Sequence, residues 1–122
     1  MANIYDDSNL RQLMEKLEYH GYTAIPVISH NGEYVGTIAE GDVLRVIKND
    51  YNMNLHAAQN VLVKDIPRRI EVKSVNANAS MDDIIEMATV QNFVPVTDDN
   101  NVFIGIVTRK EIIKYLHEHI TK

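Results

Sequence analysis

The sequence predicts a mixed α/β (α+β) protein in which one β-α-β-β-α unit occurs twice, the two copies packing as a pseudo-twofold pair. Three observations predict it. Ile25-Pro26-Val27 returns as Val94-Pro95-Val96 at an offset of 69, and a glycine follows each proline by ten residues, at Gly36 and Gly105. Apolar residues recur at helical spacing ahead of each proline-containing run. Two β-branched runs joined by a polar turn then follow in both copies. Residues 1–48 are expected to form the first copy, 49–69 a connector and 70–122 the second copy.

Taken in order, a short strand is expected around Asn3–Tyr5. Leu10, Leu13, Met14 and Leu17 stand at i, i+3, i+4 and i+7, the stripe of a helix with one buried face. Asp7 or Ser8 suits its N-cap, and Gly21 its C-terminal end. Strands follow over Thr23–Ile28 and Tyr34–Ile38, and Asn31-Gly32 between them reads as a hairpin turn because both residues tolerate positive φ. Val43, Leu44 and Ile47 mark a closing helix. In the connector, Leu55, Ala58, Val61 and Leu62 predict a helical turn or two ending before Pro67. A second leading strand is expected around Ile70–Ser74. The next helix carries its stripe on Met81, Ile84, Ile85 and Ala88, at an offset of 71 from the first. Ser80-Met81-Asp82-Asp83 opens it as a capping box with Asp where Glu or Gln is usual. Strands over Phe93–Thr97 and Val102–Val107 and a helix carrying Ile112, Ile113 and Leu116 complete the second copy. One unit of about fifty residues buries too little apolar surface to be stable alone, so the copies are expected to pair through their sheets.

Composition narrows the function. The formal net charge of −5 argues against a nucleic-acid coat protein, so no nucleic-acid partner is expected. The absence of cysteine excludes disulfides, zinc knuckles, iron–sulfur ligation and thiol nucleophiles. No apolar run approaches the roughly 18–20 residues that span a bilayer, and Met1–Asp6 has no signal-peptide core, so a cytoplasmic protein without a membrane partner is expected. His117 and His119, i and i+2 on a helix, point apart and make a poor metal pair; His20, His30 and His56 are scattered. No P-loop, carboxylate dyad or nucleophile elbow is present, so neither an enzyme nor a catalytic cofactor is expected.

The repeated motifs carry a resemblance. Gly21-Tyr22-Thr23-Ala24-Ile25-Pro26-Val27 with Val35-Gly36-Thr37-Ile38-Ala39-Glu40-Gly41-Asp42 is matched by Gln91-Asn92-Phe93-Val94-Pro95-Val96 with Ile104-Gly105-Ile106-Val107-Thr108-Arg109-Lys110-Glu111. Over essentially its whole length the chain resembles a CBS-domain pair, or Bateman module, and is similar to small stand-alone CBS proteins of Firmicutes. Those chains begin some residues earlier, which implies a leading strand ahead of Met1. The resemblance implies a regulatory adenine-nucleotide sensor that acts through a protein partner. It also implies a homodimer, with apolar residues of the Leu10–Leu17 or Ile112–Ile120 faces as its contact. In CBS pairs a ligand lies between copies, where the loop before one Pro-containing strand meets the Ser/Thr-x-x-Asp segment of the other. One site would therefore join Ile4, Tyr22, Thr23, Ala24 and Pro26 to Thr108, Arg109 and Glu111. The other would join Asn92, Phe93, Val94 and Pro95 to Ala39, Glu40 and Asp42.

Physical chemistry separates the two. A helix N-terminus offers unpaired N–H groups and partial positive charge to a phosphate. Thr108 adds a hydroxyl, Arg109 a charge-assisted fork, and Glu111 a carboxylate able to accept from both hydroxyls of a ribose. Ala39 and Glu40 supply neither hydroxyl nor cation, and Glu40 with Asp42 would repel phosphate. The site with Arg109 is expected to bind an anionic nucleotide, and the other to bind weakly, take an uncharged adenosine or stay empty. Each departs from the family pattern, Glu111 standing for Asp and Ala39 for Ser/Thr. Thr108 and Glu111 equally suit a plain helix cap, Arg109 and Lys110 a solvated face, and Tyr22 ordinary packing. Arg68-Arg69 after Pro67 suit either a solvated surface or a phosphate or interface contact. AMP, ADP or ATP is the default ligand by resemblance. Cyclic di-AMP is the alternative, since relatives that bind it pair a Gly-Tyr-Thr-Ala loop with a Thr-Arg-basic segment, as Gly21–Ala24 and Thr108–Lys110 do. A ligand-free interaction module is the rival from another class.

Overall fold

The computed structural model describes residues 2–120, and the chain divides into two units, Met1–Glu71 and Val72–Lys122. The strand implied ahead of Met1 lies outside the described residues.

The first unit begins with β1 (Ile4–Tyr5) and α1 (Leu10–His20). Leu10, Leu13 and Leu17 form the buried face of α1, as the stripe requires. Its N-cap is Asn9 rather than Asp7 or Ser8. Asn9 Oδ1 accepts from the Gln12 N–H at 2.8 Å, and Gln12 Oε1 accepts from the Asn9 N–H at 2.9 Å, a reciprocal box that satisfies two donors at once. Asp7 pairs with His30 Nε2 instead, at 2.7 Å. Gly21 ends the helix at φ 66°, where a side chain would be strained.

Next come β2 (Ala24–Ile28), β3 (Tyr34–Ala39) and α2 (Glu40–Tyr51). The sheet order is β1-β2-β3, with β1 parallel to β2 and β3 antiparallel to it. β1 begins pairing only at Val27, so Pro26, which has no N–H to give, lies where β2 has a ladder on one side alone. In the turn Gly32 takes positive φ and Asn31 does not. The connector is not loose: α2 runs through Tyr51, α3 (Leu55–Ala58) and a 3-10 turn at Val63–Asp65 follow, and Ala58, Val63 and Ile66 are buried among Ile4, Leu10 and Leu13.

The second unit contains β4 (Val75–Asn76), α4 (Met81–Ala88), β5 (Phe93–Thr97), β6 (Phe103–Thr108) and α5 (Arg109–Ile120), with sheet order β4-β5-β6. The register repeats that of the first unit at the predicted offset: Val27 faces Gly36 and Val96 faces Gly105, and both ladders shift one residue later, at Val27/Ile28 and Val96/Thr97. Asn101, at the position matching Gly32, supplies the positive φ. The leading strand expected at Ile70–Ser74 is instead Val75–Asn76. The earlier residues have other partners. The Arg69 N–H is held by Asp42, and Gln91 brackets Lys73, accepting from its N–H at 2.7 Å and donating to its carbonyl at 3.0 Å. Backbone groups satisfied by side chains are not free for a ladder.

Candidate functional site

Each unit brings its own two motif segments together at one end of a strand ladder, β2–β3 or β5–β6. In the first, Ala24 pairs with Ala39, and the Glu40 N–H donates to the Thr23 carbonyl at 2.9 Å. In the second, Phe93 pairs with Thr108. The strand register therefore sets the loop before β2 or β5 beside the N-terminus of α2 or α5.

In the first unit Ile4 is buried on β1 opposite Val27. Tyr22 and Thr23 are exposed on the link from α1 to β2. The Tyr22 N–H donates to the Leu17 carbonyl at 3.0 Å, and its ring stacks on His20 with centroids 5.2 Å apart. Ala24 is half-buried and Pro26 buried. A groove of about 410 Å³ runs along Tyr22, Thr23, Leu17, Glu40 and Leu44. Glu18 also lines it, so its charge is negative and disfavours phosphate.

In the second unit Thr108 closes β6 and Arg109 opens α5. Thr108 Oγ1 accepts from the Glu111 N–H at 3.2 Å and donates to Glu111 Oε1 at 3.0 Å, and the Thr108 N–H reaches the same oxygen at 3.4 Å. The cap and the candidate ligand pair are thus one set of atoms. Glu111 Oε2 has no partner among the described residues, and the carboxylate is exposed. Arg109 Nε donates to the Ala88 carbonyl at 2.7 Å, at the C-terminal end of α4 where partial negative charge gathers. This contact orients the guanidinium while leaving its terminal nitrogens unpartnered among the described residues. Asn92 is exposed, Phe93 half-buried, and Val94 and Pro95 buried.

Asp42, matching Glu111 in the repeat, has a different setting. It is buried, Oδ2 accepts from the Ala39 N–H at 2.9 Å, Oδ1 accepts from the Arg69 N–H at 3.1 Å, and the Arg45 guanidinium pairs with Oδ1. Sequence reasoning missed Arg45, although Asp42 and Arg45 stand at i, i+3 on a helix face. Arg68 lies over Gly36; a Cβ there would meet its Cζ at 2.6 Å. Tyr34, on the same strand, shares its hydroxyl with Thr37 Oγ1 at 2.8 Å. Burial raises the Tyr34 pKa above its ordinary 10.0, opposed by the Thr37 hydrogen bond and the charge of Arg68, with Glu71 adding to the rise.

Two β-α-β-β-α units with matching register and with helix N-termini set beside the Pro-containing strands define a tandem-repeat architecture. The chain belongs to the CBS-domain family, whose model matches residues 2–49 and 63–118. It is similar to cyclic di-AMP receptor B of Bacillus subtilis (strain 168), with 28% identity over 125 residues covering 98% of this chain and 81% of that protein. A crystal structure of CbpB in complex with c-di-AMP superposes with a TM-score of 0.87 at 26% identity, covering 98% of this chain and 79% of the other. A crystal structure of CBSX2 in complex with AMP shares the fold, with a TM-score of 0.75 and 21% identity, covering 100% of this chain and 90% of the other.

Proposed function

We propose that this protein is a regulatory adenine-nucleotide sensor, with cyclic di-AMP as its leading ligand and AMP, ADP or ATP as the other candidates. One observation carries the reading: at the start of α5, Thr108, Arg109 and Glu111 combine a helix N-terminus, an oriented guanidinium whose terminal nitrogens have no partner among the described residues, and an exposed carboxylate. That set matches phosphate and ribose chemistry. Tyr22, Thr23 and Ala24, with Ile4 and Pro26 behind them, are the residues proposed to receive the base, as the CBS resemblance implies. The similarity to cyclic di-AMP receptor B and to CbpB bound to c-di-AMP favours cyclic di-AMP over a mononucleotide. Residues 1–48 and 70–122 are the proposed repeats, and 49–69 links them. The output is a change in contact with a partner protein, and the chain works as a homodimer through apolar helix residues such as Ile113 and Ile120, which are exposed in the single chain.

Calorimetric titration with cyclic di-AMP, AMP, ADP and ATP tests the assignment, repeated on Arg109→Ala. At least one nucleotide is expected to bind at micromolar Kd, about −8 kcal/mol, and Arg109→Ala to weaken it about tenfold or more. At a hundredfold excess over Kd the native state gains about 2.7 kcal/mol, a shift of several degrees in Tm. No heat and no Tm shift with any of the four at millimolar concentration would leave the ligand-free interaction module as the better account.

A further inference from the structure

Among the described residues Asp42 is the only buried acidic side chain, at 4% exposure. Its environment differs from that of Glu111, its counterpart at the repeat offset. The Ala39 N–H on Oδ2 belongs to the start of its own helix, and Arg45 lies one turn along that helix. The third donor, the Arg69 N–H on Oδ1, comes from the far end of the unit. One residue earlier, the Arg68 guanidinium covers Gly36. The segment after Pro67 is thus laid over β3 and the first turn of α2. A carboxylate offers about four acceptor positions, and here three donors already converge on it in a buried place. In the second unit Glu111 is exposed, its Oε2 is without a partner among the described residues, and a Cβ on Gly105 would meet none of them within 4 Å.

We propose that the chain's own Arg68–Arg69 segment occupies the recognition carboxylate of the first unit, so that Asp42 holds the fold and each chain takes a single nucleotide, through Glu111. This rests on the adenine-nucleotide reading above. A ribose that competed for Asp42 would have to displace the Arg69 N–H and strand it, or crowd Arg45, and a buried donor left unpaired is costly. The first repeat keeps the acidic residue to which the CBS resemblance would assign ligand, and uses it for its own backbone.

Three measurements decide the proposal. Equilibrium dialysis with AMP and with cyclic di-AMP should saturate at no more than one equivalent per chain; two equivalents of either would overturn it. Asp42→Asn, measured without nucleotide, should lower Tm by about 5–10 °C, because a buried carboxylate paired with a cation is being neutralised. Glu111→Gln, which keeps an acceptor for the Thr108 cap, should move Tm by less than about 2 °C and weaken nucleotide binding about tenfold. An unchanged Tm for Asp42→Asn overturns the structural role. Should Asp42→Asn not fold, amide exchange in the unaltered chain decides: the Arg69 N–H should exchange about a hundredfold slower than an open chain, with and without nucleotide. Open-chain exchange at Arg69, or exchange accelerated by nucleotide, overturns the proposal. If none of AMP, ADP, ATP and cyclic di-AMP binds, the sensor reading fails, and the Tm and exchange results still decide the role of Asp42.

Discussion

At Tyr34 a phenol is held mainly by its surroundings, and the consequence is a pH dependence of known sign. Burial disfavours the phenolate, so the folded chain binds this proton more tightly than the unfolded chain does. The stability it contributes is fully present below the unfolded value near 10.0 and is lost as pH rises through the higher folded value. Urea titrations at pH 8 and at alkaline pH should therefore show falling stability, and Tyr34→Phe should flatten that alkaline limb. At pH 8 the same substitution should cost about 1 kcal/mol, because the buried Thr37 loses its hydroxyl partner.

Helix ends illustrate the next scale. The α1 N-terminus depends on a reciprocal Asn9–Gln12 box, whereas α2 begins at Ala39, which has no side-chain acceptor, and recruits Asp42 three residues on to accept the Ala39 N–H. Asn9→Ala should lower stability by about 1 kcal/mol, read as a drop in urea midpoint at unchanged m-value. The Asn-x-x-Gln spacing was legible in the sequence. Asp7 and Ser8, one or two residues earlier, competed for the same role because capping propensity alone does not say which of three neighbouring polar residues stands at the turn. The second leading strand shows a similar limit. Ile70–Ser74 has β-branched residues, but the offset of 71 that aligned the helices also carries Ile4–Tyr5 onto Val75–Asn76, where the strand lies. Repeat arithmetic was the stronger signal there, and local composition the weaker.

For the molecule as a whole, the two units differ in the depth of their cores. Among the described residues, thirteen buried apolar residues cluster in the first unit, reaching from Ile4 to Ile66, and three in the second, Ala88, Val94 and Ile112. Connector residues Ala58, Val63 and Ile66 make part of the difference, since they are buried in the core of the first unit. Burial is the main source of local stability, so native-state exchange should protect β2 amides more than β5 amides, by about tenfold or more. Equal protection would indicate that the second unit gains its stability from elsewhere. Saturating nucleotide is expected to narrow the gap, because the proposed ligand residues at the start of α5 belong to the weaker unit.

The amino-acid sequence on its own determined the repeated unit, its strand and helix types, the position of both hairpin turns and the segments that carry the candidate ligand chemistry, because periodicity, turn residues and repeat spacing are local properties. It also pointed to Thr108, Arg109 and Glu111 as a group, since three chemistries within four residues at one helix start can be read directly. What only the tertiary structure decided is which groups those residues already satisfy. Arg109 gives Nε to the Ala88 carbonyl, the connector adds to a core, and Asp42 is taken by Arg45 and by the Arg69 N–H, 27 positions away. Hydrogen bonds between distant segments follow from how the chain folds back on itself, and no spacing along a sequence encodes that distance.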